Sequence, residues 1–164
     1  MIRNPILVTG GALSAAAAVL HLSVIAGGPD WYRFFGAGEP MARLAEQGSW
    51  TPALVTAGIA AVLAIWAAYA FSGAGLIRRL PLVRTALVVI SAVYLLRGLV
   101  LVPAFALNPA GVTPFVLWSS LIVNGGAVMP FVLWSSLIVL TYGLAYAIGT
   151  WIAWPALTVR TART

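Results

Sequence analysis

His21 is the only histidine in this chain, and Asp30, Glu39 and Glu46 are its only acidic side chains. An imidazole can take up or release a proton near neutral pH, and a carboxylate can anchor a cation or a polar ligand. Arg97 stands inside an apolar stretch, with Tyr94 about one helical turn before it. Placing a guanidinium at such a depth costs several kcal/mol, so a partner or a short reach to the boundary is expected for it. If the helices bring these depths together, His21, Glu39, Glu46, Arg97 and Tyr94 form a ligand-binding or structural polar cluster. Trp66, in mid-stretch, and Trp118 are the candidate pocket aromatics.

Chemistry beyond binding has little support. Ser119 and Ser120, repeated as Ser135 and Ser136, have no credible base beside them, so no catalytic residue is assigned. One histidine and three acids cannot build a multi-ligand metal site within one chain, and cysteine is absent. Neither a metal nor a resident cofactor is expected. The glycines of Phe35-Gly36-Ala37-Gly38 lack the flanking pattern of a phosphate loop. The head of a lipid or a quinone, or a small anion, fits the cluster better.

These residues need elements to position them, and composition says which. Of 164 residues 62% are hydrophobic and only 7% charged, with a mean hydropathy of +1.03. A soluble domain carries about a quarter of its residues charged, so this chain cannot cover itself with polar groups. The fold class expected is an all-α integral membrane protein, a compact bundle of four transmembrane helices forming one domain. The spans fall at about 6–27, 52–71, 82–102 and 130–154. Gly28-Pro29-Asp30 closes the first span and Pro103 the third. An interfacial helix is expected at 39–47, with Pro40 in its first turn and Gly48 at its end. Ala57, Ala61, Ala64 and Ala68 make a stripe suited to close packing in the second span.

The decapeptide Pro-Phe-Val-Leu-Trp-Ser-Ser-Leu-Ile-Val occurs twice, at 114–123 and 130–139. Asn124-Gly125-Gly126 stops the first copy, whose ten helical residues would rise only about 15 Å, half of a bilayer core. It is therefore expected as a re-entrant or interfacial segment. Apolar sequence continues behind the second copy and completes a crossing. Tyr142 and Tyr146, four apart on that last span, mark either a close helix contact or a proton path.

Arginine placement sets orientation. Arg3, Arg78, Arg79, Arg84, Arg160 and Arg163 share one side of a four-span arrangement. The other side has Arg33 and Arg43 outnumbered by three carboxylates. The positive-inside rule puts both termini in the cytoplasm of a bacterial inner (plasma) membrane. The net charge of +6 is thus topogenic, and no nucleic-acid partner is expected. The expected role is a binding or accessory protein that meets membrane lipids, as a homo-oligomer or within a larger membrane complex. One rival is an oligomeric transporter or channel for a small polar solute or proton, controlled by His21 and Arg97. The other is a membrane enzyme on a lipid-like substrate, using His21 with Glu39.

Overall fold

The structure is a computed structural model that describes residues 4–107 and 128–158, with side chains at 4–99 and 134–158. The expected segment at 114–123, and Trp118 with it, lies outside the described residues. Among the described residues five helices occur in order: α1 (Pro5–Phe34), α2 (Glu39–Glu46), α3 (Thr51–Gly73), α4 (Val83–Leu107) and α5 (Val128–Thr158). The chain is a multi-pass, all-α membrane protein. Among the described residues three helices, α1, α3 and α5, are long and apolar enough to cross a membrane, where the apolar pattern of the sequence predicts four.

Local sequence explains the starts of α1, α2 and α3. Asn4 caps α1, its Oδ1 accepting from the amides of Ile6 and Leu7 at 3.1 and 3.2 Å, with Pro5 opening the first turn. The same side chain donates through Nδ2 to the carbonyl of Gly149 at 2.7 Å, fastening the start of α1 to α5. Pro40 stands in the first turn of α2 and Pro52 in that of α3.

Two expected helix ends are corrected. Gly28 does not finish α1. It takes φ 70° and ψ −154°, a conformation open to glycine, and the helix resumes from Pro29 to Phe34 in a new direction. A proline cannot extend a helix from behind but can begin one, which accounts for a kink instead of a stop. Nor does Pro103 end α4, which continues to Leu107. Proline is tolerated within membrane helices because neighbouring groups re-satisfy the freed carbonyl.

The long helices run up, down, up and down. Gly11 of α1 meets Phe71 near the end of α3, and Gly73 of α3 meets Leu87 near the start of α4. Arg84 of α4 meets Trp154 of α5, and Leu7 of α1 meets Gly149. The closest pairs are α1 with α3 and α4 with α5, joined through α1–α5 and α3–α4. That arrangement leaves α1 opposite α4, and α3 opposite α5. Where α4 and α5 cross, glycine is required: a Cβ on Gly98 would lie 2.9 Å from Leu140 Cα, and one on Gly143 2.9 Å from the Leu95 amide nitrogen.

On α3 the buried face is Thr56, Ala60, Leu63, Ala67 and Ala70, while Ala61 and Ala64 of the expected stripe are exposed. Alanine occurs all round this helix, so its pattern alone does not choose a face. Outward positions carry Leu54, Ile59, Val62, Val89, Leu96, Ile138 and Ile148, a belt suited to lipid. Trp31, Trp50 and Trp134 are exposed toward one end, and Trp151 and Trp154 toward the other, as expected of membrane–water boundaries. Ser136, from the second decapeptide, is fully buried, and its Oγ has no hydrogen-bond partner among the described residues.

Candidate functional site

The expected cluster divides into two groups. One lies at the end of the bundle where α1 kinks. Here Arg33 gathers all three acids: its Nε donates to Glu39 Oε2 at 2.8 Å, its Nη2 to Glu46 Oε1 at 2.7 Å, and its Nη1 to Asp30 Oδ1 at 3.3 Å. Arg43 adds a bond from Nε to Glu39 Oε1 at 3.0 Å. Beneath these charges Ala42 of α2 packs with Tyr32 and Val24 of α1, so α2 is held by an apolar underside and an ionic rim. In the sequence Arg33 stands out only as a charge that sets the side of its loop. Its role depends on the kink, which turns it toward α2, and no local pattern announces that.

Glu39 is locked by this arrangement. Hydrogen bonds from Arg33 first, and then Arg43, lower its carboxyl from the ordinary 4.5 to about 2. A carboxylate of that kind cannot serve as a base near neutral pH. Because the folded value is the lower one, the contribution to docking α2 is complete above about pH 4.5. It is lost as pH falls through about 2. Amide exchange in α2 should therefore hold steady from pH 7 to 5 once corrected for intrinsic rate, and rise below pH 4. Arg33→Gln should open α2 already at pH 7. Unchanged protection of α2 in that variant would assign its docking to the apolar underside alone.

The second group lies within the bundle. Ser14 Oγ on α1 is 3.0 Å from the Tyr94 hydroxyl on α4 and 2.9 Å from the Tyr146 hydroxyl on α5. Tyr146 in turn donates to the Trp66 carbonyl of α3 at 3.0 Å. A carbonyl only accepts and each hydroxyl has one proton, so the direction is determined. Tyr94 donates to Ser14, Ser14 to Tyr146, and Tyr146 to Trp66. This line of hydroxyls crosses both diagonals of the bundle and joins its four long helices. Ser14 and Tyr146 are fully buried and Tyr94 nearly so.

Aromatic rings fill the space around that line. The Tyr94 ring lies edge-on to Trp66 at 4.8 Å and to Tyr142 at 5.6 Å, and 5.4 Å from Tyr146. Trp66 is half-buried and part of this packing. Of the two roles open to Tyr142 and Tyr146, the geometry realises the close contact. A line that ends on a backbone carbonyl hands its last proton to no further acceptor that could release it.

His21 and Arg97 stand between the two groups. Ser14, Ala18, His21 and Ile25 share one face of α1, and His21 lies about 10 Å beyond Ser14 by helical rise. Arg97 lies about 4.5 Å beyond Tyr94 along α4, in the same direction, and is half-buried. The ring of His21 bonds through Nδ1 to the Ala17 carbonyl at 2.7 Å. Nδ1 therefore carries the proton, and in the neutral ring Nε2 has the lone pair. Thus Tyr94 joins Trp66, and Glu39 joins Glu46 through Arg33, while His21 bonds within its own helix. Among the described residues, no three of His, Asp and Glu converge as metal ligands do. Comparison with protein-family models, with characterised proteins and with solved structures finds no match for this chain.

Proposed function

We propose that this protein crosses the inner membrane four times, with both termini in the cytoplasm. In this reading it acts as a small binding protein, holding the polar head of an amphiphile, a lipid or a quinone, at its outer end. The observation that carries the reading is the hydroxyl line from Tyr94 to the Trp66 carbonyl. It fills the bundle axis with satisfied, tightly packed groups, so the axis is a floor and not a conduit. Above it are His21 and Arg97, and above those the charged rim over α2. A head group entering from the membrane side would meet a cation and an imidazole at the level of Arg97 and His21. Its chains would lie along the exposed Leu96 and Leu99 of α4.

For α4 the crossing rests on its 25 residues and on its antiparallel course between α3 and α5. The arginine-rich loop between α3 and α4 is the side that the positive-inside rule assigns to the cytoplasm. Conduction through one chain is disfavoured by the closed axis. Enzymatic use of His21 with Glu39 is disfavoured because Arg33 and Arg43 occupy both carboxylate oxygens.

Extraction in mild detergent followed by mass spectrometry of retained amphiphiles tests this. Wild type should keep one chemical class near one per chain. His21→Gln and Arg97→Gln should each lower that retention about tenfold, the worth of one charge-assisted or well-placed hydrogen bond. His21→Gln keeps a polar side chain at a half-buried position and should elute and melt like wild type. Retention at the wild-type level in a correctly eluting His21→Gln and Arg97→Gln pair would end the proposal.

A further inference from the structure

The opposite end of the bundle carries a second, independent set of cations. Arg78, Arg79 and Arg84 lie in and just after the turn from α3 to α4, while Asp30, Glu39 and Glu46 all lie at the far end. The turn is fixed from within. Ser72 Oγ accepts from the Leu80 amide at 2.8 Å and donates to the Arg78 carbonyl at 3.2 Å. Two of the three guanidinium groups are tied to the last turns of α5. Arg79 donates from Nη2 to the Leu157 carbonyl. Arg84 stacks its guanidinium 4.2 Å above the Trp154 ring, and its buried Nε has no hydrogen-bond partner among the described residues. Arg78 is exposed beside them.

Apolar side chains flank these charges. Leu76, Ile77 and Leu82 of the turn are exposed, Leu82 at 77%, and Trp151 on α5 is exposed at 82%. Ile148, about one turn before Trp151, continues that face into the bilayer. Arginines set between exposed leucine, isoleucine and tryptophan match a molecule with a phosphate at the boundary and hydrocarbon behind it. A soluble anion would use the charges and leave the apolar flanks idle. We infer that Arg78 and Arg84, with Trp154 as a platform, form a binding site for the phosphodiester head of an anionic phospholipid in the adjoining leaflet. Trp151 lines its acyl chains, and Leu82 flanks its head. Arg79 is a positioning residue, holding the end of α5 where Trp154 can support Arg84.

The test uses the full chain reconstituted in phosphatidylcholine vesicles doped with phosphatidylglycerol, with native mass spectrometry of the lipids retained on extraction. Wild type should keep phosphatidylglycerol in preference to phosphatidylcholine, and that preference should fall as salt is raised. Each arginine near an anionic surface is worth about fivefold, so Arg78→Gln with Arg84→Gln should cut phosphatidylglycerol retention by about 25-fold and leave phosphatidylcholine unchanged. Arg84→Lys, which keeps the charge but not the planar stack, should give an intermediate loss and guards against a variant that fails to fold. Equal retention of both lipids by wild type, or wild-type preference in the double variant, would overturn the site. Equal thermal stabilisation of delipidated protein by inorganic phosphate alone would also overturn it, because the ligand would then be a free anion.

Discussion

Alanine at Gly143 or Gly98 will pry α4 from α5 and lower the melting point of the detergent-solubilised protein. The new methyl at Gly143 would meet the Leu95 amide nitrogen at 2.9 Å, and that at Gly98 would meet Leu140 Cα at the same distance. Both obstacles include main chain, which cannot turn aside as the tip of a side chain can. Overpacking of this kind costs about 1–3 kcal/mol for one methyl. Leucine at either position should cost more and yield a chain that no longer elutes as one species. Gly58 provides the contrast, since a Cβ there meets nothing within 4 Å. Gly58→Ala should stabilise α3 by roughly 0.5–1 kcal/mol through backbone entropy. Melting followed by circular dichroism, with size exclusion alongside, checks both. Wild-type melting of Gly143→Ala would mean that α4 and α5 do not approach this closely.

The hydroxyl line makes a second, directional prediction. Ser14→Ala strands the proton of Tyr94, which is buried beside it, while Tyr146 still donates to Trp66. A buried donor without a partner costs about 1–3 kcal/mol. Tyr94→Phe removes the first donor and leaves every remaining proton with an acceptor, so its cost should stay near the roughly 0.6 kcal/mol typical of hydrogen bonds between membrane helices. Tyr146→Phe falls between them. It takes the acceptor from Ser14, whose hydroxyl can turn to a carbonyl of its own helix, as serine often does. Stability should therefore rank Tyr94→Phe above Tyr146→Phe above Ser14→Ala. Steric trimming alone would leave them equal, since each of the three variants removes one hydroxyl oxygen and nothing else. Equal losses in all three would mean that the assigned proton direction is wrong.

Apolar runs and their breakers make the helices legible in the residues themselves. The expected 39–47 helix is found at Glu39–Glu46, and prolines stand in the first turns of α1, α2 and α3. What the sequence conceals is azimuth. Ser14 is one small residue among many, and nothing local ties it to Tyr94 or Tyr146, 80 and 132 positions away. The same blindness puts the alanine stripe of α3 on the wrong face. Charge pairing is hidden for a related reason. Arg33 and Glu39 are six apart across a break in the helix, a spacing that no helical rule pairs. Depth in the membrane groups the acids with Arg97; direction after the Gly28 kink gives them to Arg33.

The hydroxyl line also bears on how the chain matures. Ser14 enters the membrane with α1, and Tyr146 follows only with α5. During synthesis the early serine must therefore borrow an acceptor from its own backbone, even while it accepts from Tyr94, and exchange it when the fourth long helix arrives. A chain halted before that point leaves the serine proton without its partner across the bundle, so the arrival of α5 supplies the bond that closes the line.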